Sequence, residues 1–275
     1  MALFHDRMRD VVLNTPLAQR LLVGDRRHCN AGRGPFDNDR ASVCYCVCHS
    51  AMHYQSFITA LDLRFPNGNP LPRSPLIVDY GCGPATTALA LADWLRERGL
   101  VRPTIGYIGI DISTRLREIG LDMLGGDDVF GAGSHLISLP SVESLTHANV
   151  REAAHARDGV VFALSYILHQ RFMQDLGGLI TLMQMIRTET AGIPTWLLLQ
   201  DANYTETFGG KTVIWPETRL NVLANACAPI GYHVRGATAK TIFRSPHVTI
   251  DEGGNFVREE AGERSNVCHF FQRIA

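Results

Sequence analysis

The apolar positions of the chain change period part-way along it. Val11, Val12, Leu17, Leu21 and Leu22 recur at roughly helical spacing, interrupted by Pro16, so residues 1–30 are expected to form one helix or two. Residues 30–40 carry turn chemistry, including Gly32, Gly34, Pro35 and Asn38, and are expected to be a loop. A second helical pattern runs from Ala41 to Phe65, with Met52, Phe57, Ile58 and Leu61 apolar. The stretch Pro66–Pro75 holds four prolines, Gly68 and two asparagines. It reads as a linker, which divides a helical N-terminal cap (1–73) from a larger domain (74–275).

Beyond the linker, short apolar runs alternate with helical segments. Runs at Leu76–Asp79, Thr104–Asp111, His135–Leu139, Val160–Leu164 and Trp196–Leu199 have strand length. Ala85–Arg98, residues 114–124 and Leu176–Thr190 have helical period. Alternation of this kind predicts an α/β fold with a doubly wound, mostly parallel sheet and right-handed crossovers. Near the end, Tyr232–Gly236, Thr238–Ser245 and Val267–Ile274 read as strands, the last two as an antiparallel pair. The expected sheet is seven-stranded with an antiparallel last strand.

Composition narrows the class. The 275 residues carry 26 Lys+Arg against 27 Asp+Glu, a formal charge of −1. That balance argues against a protein held to nucleic acid by a broad positive field. With 45% apolar and 19% charged residues, the chain can bury a core. No run approaches the roughly 20 apolar residues of a membrane helix, and residues 1–6 lack the basic and apolar regions of a signal peptide. The expected location is the cytoplasm, where the seven Cys would be thiols rather than a disulfide framework.

The chemistry concentrates at Leu76-Ile-Val-Asp79-Tyr80-Gly81-Cys82-Gly83-Pro84-Ala85-Thr86-Thr87. A strand runs through a Gly-x-Gly turn into a helix. Glycines let the backbone turn tightly and approach a ligand, and the helix start offers unpaired N–H groups. A second strand, Tyr107-Ile-Gly-Ile-Asp111, ends in an acid that could accept hydrogen bonds from a ribose diol. A dinucleotide site would place a third glycine at position 86, which is Thr. The plainer alternative is an ordinary tight turn, with Asp111 as a helix N-cap.

Asp79-x-Gly81-x-Gly83-x-Ala85 resembles the first motif, acid-x-Gly-x-Gly-x-Gly, of class I S-adenosylmethionine (SAM)-dependent methyltransferases. Ala85 departs from the final glycine. Asp111 is similar to that family's ribose-binding acid, and Gly159–His169 to its fourth strand and following motif. The resemblance covers roughly residues 74–275 and names no subfamily.

It implies a SAM cofactor and a set of roles. Asp79 would act near the methionyl amino group. Gly81, Cys82 and Gly83 would line the methionine and ribose. Asp111 would hold the ribose hydroxyls, and Ile112 would pack on the adenine. Ser141 and Val142 would flank the adenine, although Asp or Asn is common just after that strand in the family. Leu164 and Ser165 would lie under the methionine.

The acceptor side is sought at the ends of strands four and five and in the cap. Tyr166 and His169 are the catalytic candidates, His169 as a general base near neutrality or else a helix-capping residue. Gln170, Asp201, Asn203 and Tyr204 are candidates to hold an acceptor, with Gln200 beside them. The DNA amino-methyltransferase signature Asp/Asn-Pro-Pro-aromatic is absent after strand four. In the cap, Cys44-Tyr45-Cys46-Val47-Cys48-His49 precedes His53 and Tyr54. Cys-x-Cys spacing is poor for zinc, which favours buried thiols over a metal site. Tyr45, His49, His53 and Tyr54 are the better acceptor-pocket candidates. The expected function is methylation of a small molecule at N or O. An RNA or protein methyltransferase and a non-catalytic SAM-binding scaffold are the alternatives.

Overall fold

The computed structural model describes the backbone of residues 2–16, 39–65, 72–126, 128–167, 176–202, 205–208, 211–232, 239–243, 246–250, 256–260 and 264–274. Side chains are described over 3–16, 39–63, 65, 72–126, 128–167, 176–200 and 221–232.

Helix α1 (Ala2–Met8) runs on into a π-helical turn, Arg9–Leu13. Helix α2 (Asp39–Tyr45), a π-helical turn (Cys46–Ser50) and α3 (Ala51–Arg64) follow one another without a break. The expected strands then appear as β1 (Pro75–Tyr80), β2 (Gly106–Ile110), β3 (His135–Leu139), β4 (Gly159–Ser165) and β5 (Thr195–Ala202). Between them lie α4 (Thr86–Glu97), α5 (Thr114–Leu124), α6 (His147–Ala154) and α7 (Gly177–Glu189). The hairpin of β6 (Thr205–Phe208) and β7 (Lys211–Ile214) leads to α8 (Trp215–Cys227). Strands β8 (Ala239–Phe243), β9 (Pro246–Ile250), β10 (Phe256–Glu260) and β11 (Arg264–Ile274) complete the described elements.

The five strands β3-β2-β1-β4-β5 are parallel and in that order, with β1 at the switch point. Beyond β5 the sheet continues through β11, antiparallel to both β5 and β8. In a parallel sheet of this order, the crevice for a ligand opens at the C-terminal ends of the strands around the switch point.

Alternation along each strand separates two apolar layers. Ile77, Tyr107, Val161, Ala163 and Leu198 face one side, against α4, α5 and the cap. Leu76, Val78, Ile108, Phe162, Leu164, Leu197 and Leu199 face the other, against α6 and α7, with Leu223 and Cys227 of α8. The described residues of the cap share the core of the larger domain. Leu3, Phe4, Val43, Tyr54, Phe57 and Leu61 join the first layer directly. Asp93 of α4, only 4% exposed, ties it down by accepting the Phe4 N–H at 3.2 Å and the Tyr54 hydroxyl at 2.7 Å. Asp62 adds a second tie, accepting Trp94 Nε1–H at 2.9 Å and pairing with Arg98, which lies over the Trp94 ring.

Of the expected strand at Tyr232–Gly236, only Tyr232 is described. It lies outside any strand, and its hydroxyl donates to the Met183 carbonyl at 2.9 Å.

Candidate cofactor and acceptor site

On the cap-facing side of the sheet, each central strand is apolar until its last positions and then turns polar. Asp79 follows Ile77, Ser165 follows Ala163, and Gln200 follows Leu198. The period of two therefore puts all three polar side chains on one face at the crevice edge.

Asp79 is 1% exposed. Its Oδ2 accepts from the Thr87 hydroxyl at the start of α4, and from Tyr107 OH at 3.5 Å. Tyr107 reaches it across Gly109, where any Cβ would collide with the tyrosine hydroxyl. Asp79 Oδ1 is buried without a hydrogen-bond partner among the described residues. Burial pushes the carboxyl up to about 7; Thr87 and Tyr107 pull it down, and nearby Asp111 raises it further. An orphaned, buried acceptor of this kind fits a ligand that brings a donor, such as an ammonium group.

The turn after β1 is built by backbone geometry. Gly81 has φ +77° and Gly83 φ +48°, values that favour glycine. The N–H groups of Gly81 and Cys82 both donate to the Ile110 carbonyl, at 2.7 and 3.1 Å, which locks the turn to the end of β2. Ala85 stands where the motif has its last glycine, and it keeps the left-handed backbone, φ 56°. Glycine there would relieve about 1–2 kcal/mol of strain. It would lose about 0.8 kcal/mol of methyl burial and about 0.4–1 kcal/mol of unfolded-chain entropy. These offset one another, which is why alanine serves.

Asp111 sits beside this turn. Its Oδ2 accepts the Gly83 N–H at 2.9 Å and its Oδ1 the Ser113 N–H at 2.8 Å. Burial raises its pKa, while these two amides and Arg117 act in the opposite direction. A carboxylate has about four acceptor sites, so two remain for further O–H donors. Ser113, not Asp111, is the side-chain N-cap of α5, accepting Leu116 N–H at 3.3 Å. Ile112, next in sequence, is 65% exposed.

The cap covers the glycine turn with rings. A Cβ added to Gly83 would lie 3.8 Å from Tyr45 Cε1. The Tyr45 hydroxyl is 3.3 Å from His53 Nδ1, and its ring centroid is 5.2 Å from that of His49. Burial, then Asp111, holds the Tyr45 hydroxyl protonated far above its ordinary range. His53 stacks on Tyr166, with centroids 4.1 Å apart and planes at 14°. Tyr166 follows β4 with φ +56°, an unusual backbone for a tyrosine. Tyr45, His49, His53 and Tyr166, expected from sequence as acceptor-side residues, thus form one ring cluster, with Tyr45 beside Gly83.

Other expected residues fall elsewhere. Tyr54 is a correction: it is 2% exposed, stacked on Phe4 at 4.3 Å and committed to Asp93, so it anchors the cap. Leu164 is a second correction. Its side chain is fully buried in the far apolar layer with Phe162 and Leu179 and does not reach the crevice. Ser165 does face it, and its Oγ accepts from Gln200 Nε2 at 2.9 Å. Ser141 precedes a 3-10 turn, Val142–Ser144, and its hydroxyl holds the Glu143 carboxyl below its ordinary range. Val142 is 5% exposed and packs in the far layer. Asp201 lies on β5 opposite Cys268, with its side chain outside the described set. His169, Gln170, Asn203 and Tyr204 lie outside the described residues.

Among the described cysteines, Cys44, Cys46, Cys82 and Cys227 are buried and Cys48 is partly exposed. Cys44 and Cys48 Sγ are 4.0 Å apart on one helix face, and burial pushes Cys46 up to about 12. Cys82 is also pushed well up, first by burial and then by Asp111 and Asp79. No described group of three or more His, Cys, Asp or Glu side chains is arranged to hold a metal. No described helix is long and apolar enough to cross a membrane.

Thr87, Tyr107 and Ser56 join these hydrogen bonds and were not among the expected site residues; Gln200 was expected only as a polar group at the end of β5. Strand periodicity places Gln200 on the cap-facing side but does not give its partners. Nothing in the sequence marks Ser56 apart from other helical serines.

No family model matches the chain, and no curated protein sequence matches it. Many solved structures that it resembles in fold are class I SAM-dependent methyltransferases. One is phosphoethanolamine N-methyltransferase 2 of Haemonchus contortus, crystallised with SAM. It is 14% identical, with 75% of this chain and 45% of that one covered and a TM-score of 0.40. YcgJ of Bacillus subtilis is 11% identical over 78% of this chain and 98% of its own, with a TM-score of 0.43. The cyclase SpnF is 14% identical over 67% and 59%, with a TM-score of 0.40. These are distant likenesses of fold and say nothing of activity.

Proposed function

We propose that this chain is a SAM-dependent methyltransferase that acts on a small-molecule acceptor at nitrogen or oxygen. The observation that carries the reading is the buried Oδ1 of Asp79, without a partner among the described residues, beside a glycine turn tied to Asp111. A cofactor with an ammonium group and a ribose diol matches both features: a donor for Asp79, and two hydroxyls for the open acceptor sites of Asp111. Gly81, Cys82 and Gly83 would line its methionine and ribose. Ile112, exposed beside Asp111, offers an apolar surface for the adenine, with Ser141 in the loop after β3 beside it.

Bound SAM supplies an electrophilic methyl group on a sulfonium. The protein's task is then to hold an acceptor in line and, where the acceptor carries a proton, to remove it. Tyr45, His49, His53 and Tyr166 would enclose the acceptor above the turn and exclude water. Imidazoles are suited to taking a proton near neutral pH, and His169 stays the proposed base. The near-neutral charge and the ring-covered crevice support a small acceptor over RNA.

The test is release of S-adenosylhomocysteine (SAH) after incubation with SAM and, separately, a pool of small metabolites, total RNA, or a protein mixture. Release with the metabolite pool alone is the expected result. Release only with RNA or protein overturns the small-molecule assignment, and no release in any arm, despite SAM binding, leaves the scaffold reading.

A further inference from the structure

We propose that Gln200 is a positioning residue that ties the cap to the floor of this site, an inference that rests on the methyl-transfer reading above. The period of two along β5 puts Gln200 on the cap-facing side, two residues after Leu198. Its register partner on β4 is Ser165, on the same face two residues after Ala163. Packing alone would fill such a position with another leucine. Instead a carboxamide stands there at 1% exposure, with both ends engaged.

Gln200 Nε2 donates to Ser165 Oγ at 2.9 Å. Gln200 Oε1 accepts from Ser56 Oγ of α3 at 2.8 Å. Its backbone carbonyl accepts the Tyr166 N–H at 2.8 Å. One residue of β5 therefore holds the end of β4, the left-handed turn at Tyr166 and the cap helix. A second contact follows the same line. His53 is three residues before Ser56, on the same helix face, and it stacks on Tyr166. The cap helix thus meets residues 165–166 twice, once through the amide and once through rings.

A buried amide is tolerated only while its partners are in place, and an apolar replacement would leave Ser56 and Ser165 with unmet hydrogen bonds. Asp93 and Asp62 hold α3 to α4, and Gln200 fixes its placement over residues 165–166, and with it that of His53. Its hydrogen bonds run to Ser56, Ser165 and Tyr166, so it acts on the site through the cap and the end of β4.

The test compares Gln200→Met, similar in length without the hydrogen bonds, and Gln200→Glu with wild type between pH 5 and pH 8. Two readouts are taken: hydrogen exchange of the α3 amides and SAH affinity. The Met variant should speed α3 exchange by about tenfold or more while the amides of β1 and β2 keep their protection. Its SAH affinity should fall with it. A neutral glutamic acid reproduces the amide pattern, its O–H donating to Ser165 and its C=O accepting from Ser56. The Glu variant should therefore match wild type at low pH and lose α3 protection as it ionises. Wild type at each pH corrects for His53 on α3 and Asp79 on β1.

A space-filling residue would give neither the rescue nor its loss. Wild-type α3 exchange and SAH affinity in the Met variant would overturn the proposal. If wild type binds no SAH, the methyl-transfer reading fails, and α3 exchange still decides the role of Gln200. If the Met variant does not fold, the Glu variant at low and high pH decides it.

Discussion

The backbone N–H of Gly83 donates to Asp111 Oδ2 at 2.9 Å, joining the turn after β1 to the acid after β2. One carboxylate therefore both shapes the glycine turn and faces the crevice with acceptor sites left over. Asp111→Ala removes both services. Its affinity for SAH should fall by about 1–3 kcal/mol, the usual loss for a charged hydrogen-bond partner. Equilibrium dialysis measures this, and an unchanged affinity would remove Asp111 from the ribose site.

Asp79 makes stability depend on pH in a definite direction. Burial raises its pKa from 3.8 to about 7 in the folded chain. The folded state thus holds the proton more tightly than the unfolded one. The stabilisation is complete below pH 3.8 and is lost as pH rises through about 7. Urea unfolding of the ligand-free protein between pH 4 and pH 8 should show this decline, and Asp79→Asn should flatten that part of the slope. A slope that the variant leaves intact would show that Asp79 is not the titrating group.

The two motif glycines should differ in what they tolerate. Gly83→Ala meets ordinary contact at 3.8 Å, so only the left-handed backbone resists, at about 1–2 kcal/mol. At Gly81 the new methyl would lie 2.4 Å from Ile167 Cδ1, and Ile167 is itself packed. Overpacking adds to strain there, for roughly 2–5 kcal/mol in total. Denaturant midpoints rank the two variants, and equal losses would contradict the geometry.

Asp93 is the clearest anchor of the cap. Asp93→Ala leaves the Tyr54 hydroxyl and the Phe4 N–H without their acceptor inside the core. The loss should be roughly 2–4 kcal/mol, with faster hydrogen exchange in α1 and α3. An exposed substitution such as Glu118→Ala, on α5, should change stability by less than about 0.5 kcal/mol and serves as the control.

The parallel strands were legible because β1, β2 and β4 are buried on both faces and carry unbroken apolar runs between turn signals. The glycine turn was legible because its backbone requires glycine at two fixed positions, and Asp111 because it closes the next strand. Tyr54 was misread for a geometric reason. A helical pattern tells which residues share a face but not which neighbour that face meets, so Tyr45 and Tyr54 look alike until α3 is docked. Leu164 was misread by one residue of strand period, since Ser165 is the side chain that faces the crevice. Helix α6 was missed although its capping pair, Thr146 and Asn149, stood in the sequence. The β6–β7 hairpin was missed although Gly209-Gly210 between its strands is a hairpin signal. Gln200 was noticed as polar but not as a bridge, because Ser56, one of its partners, lies 144 residues away.

The central claim is that the turn at Gly81–Gly83, with Asp79 and Asp111, binds a sulfur nucleoside. Isothermal titration of the full chain with SAM, SAH and NADH tests it most directly. The account predicts binding of SAM and SAH at micromolar concentration and no heat from NADH. Binding of NADH alone, or silence from both sulfur nucleosides, would contradict it.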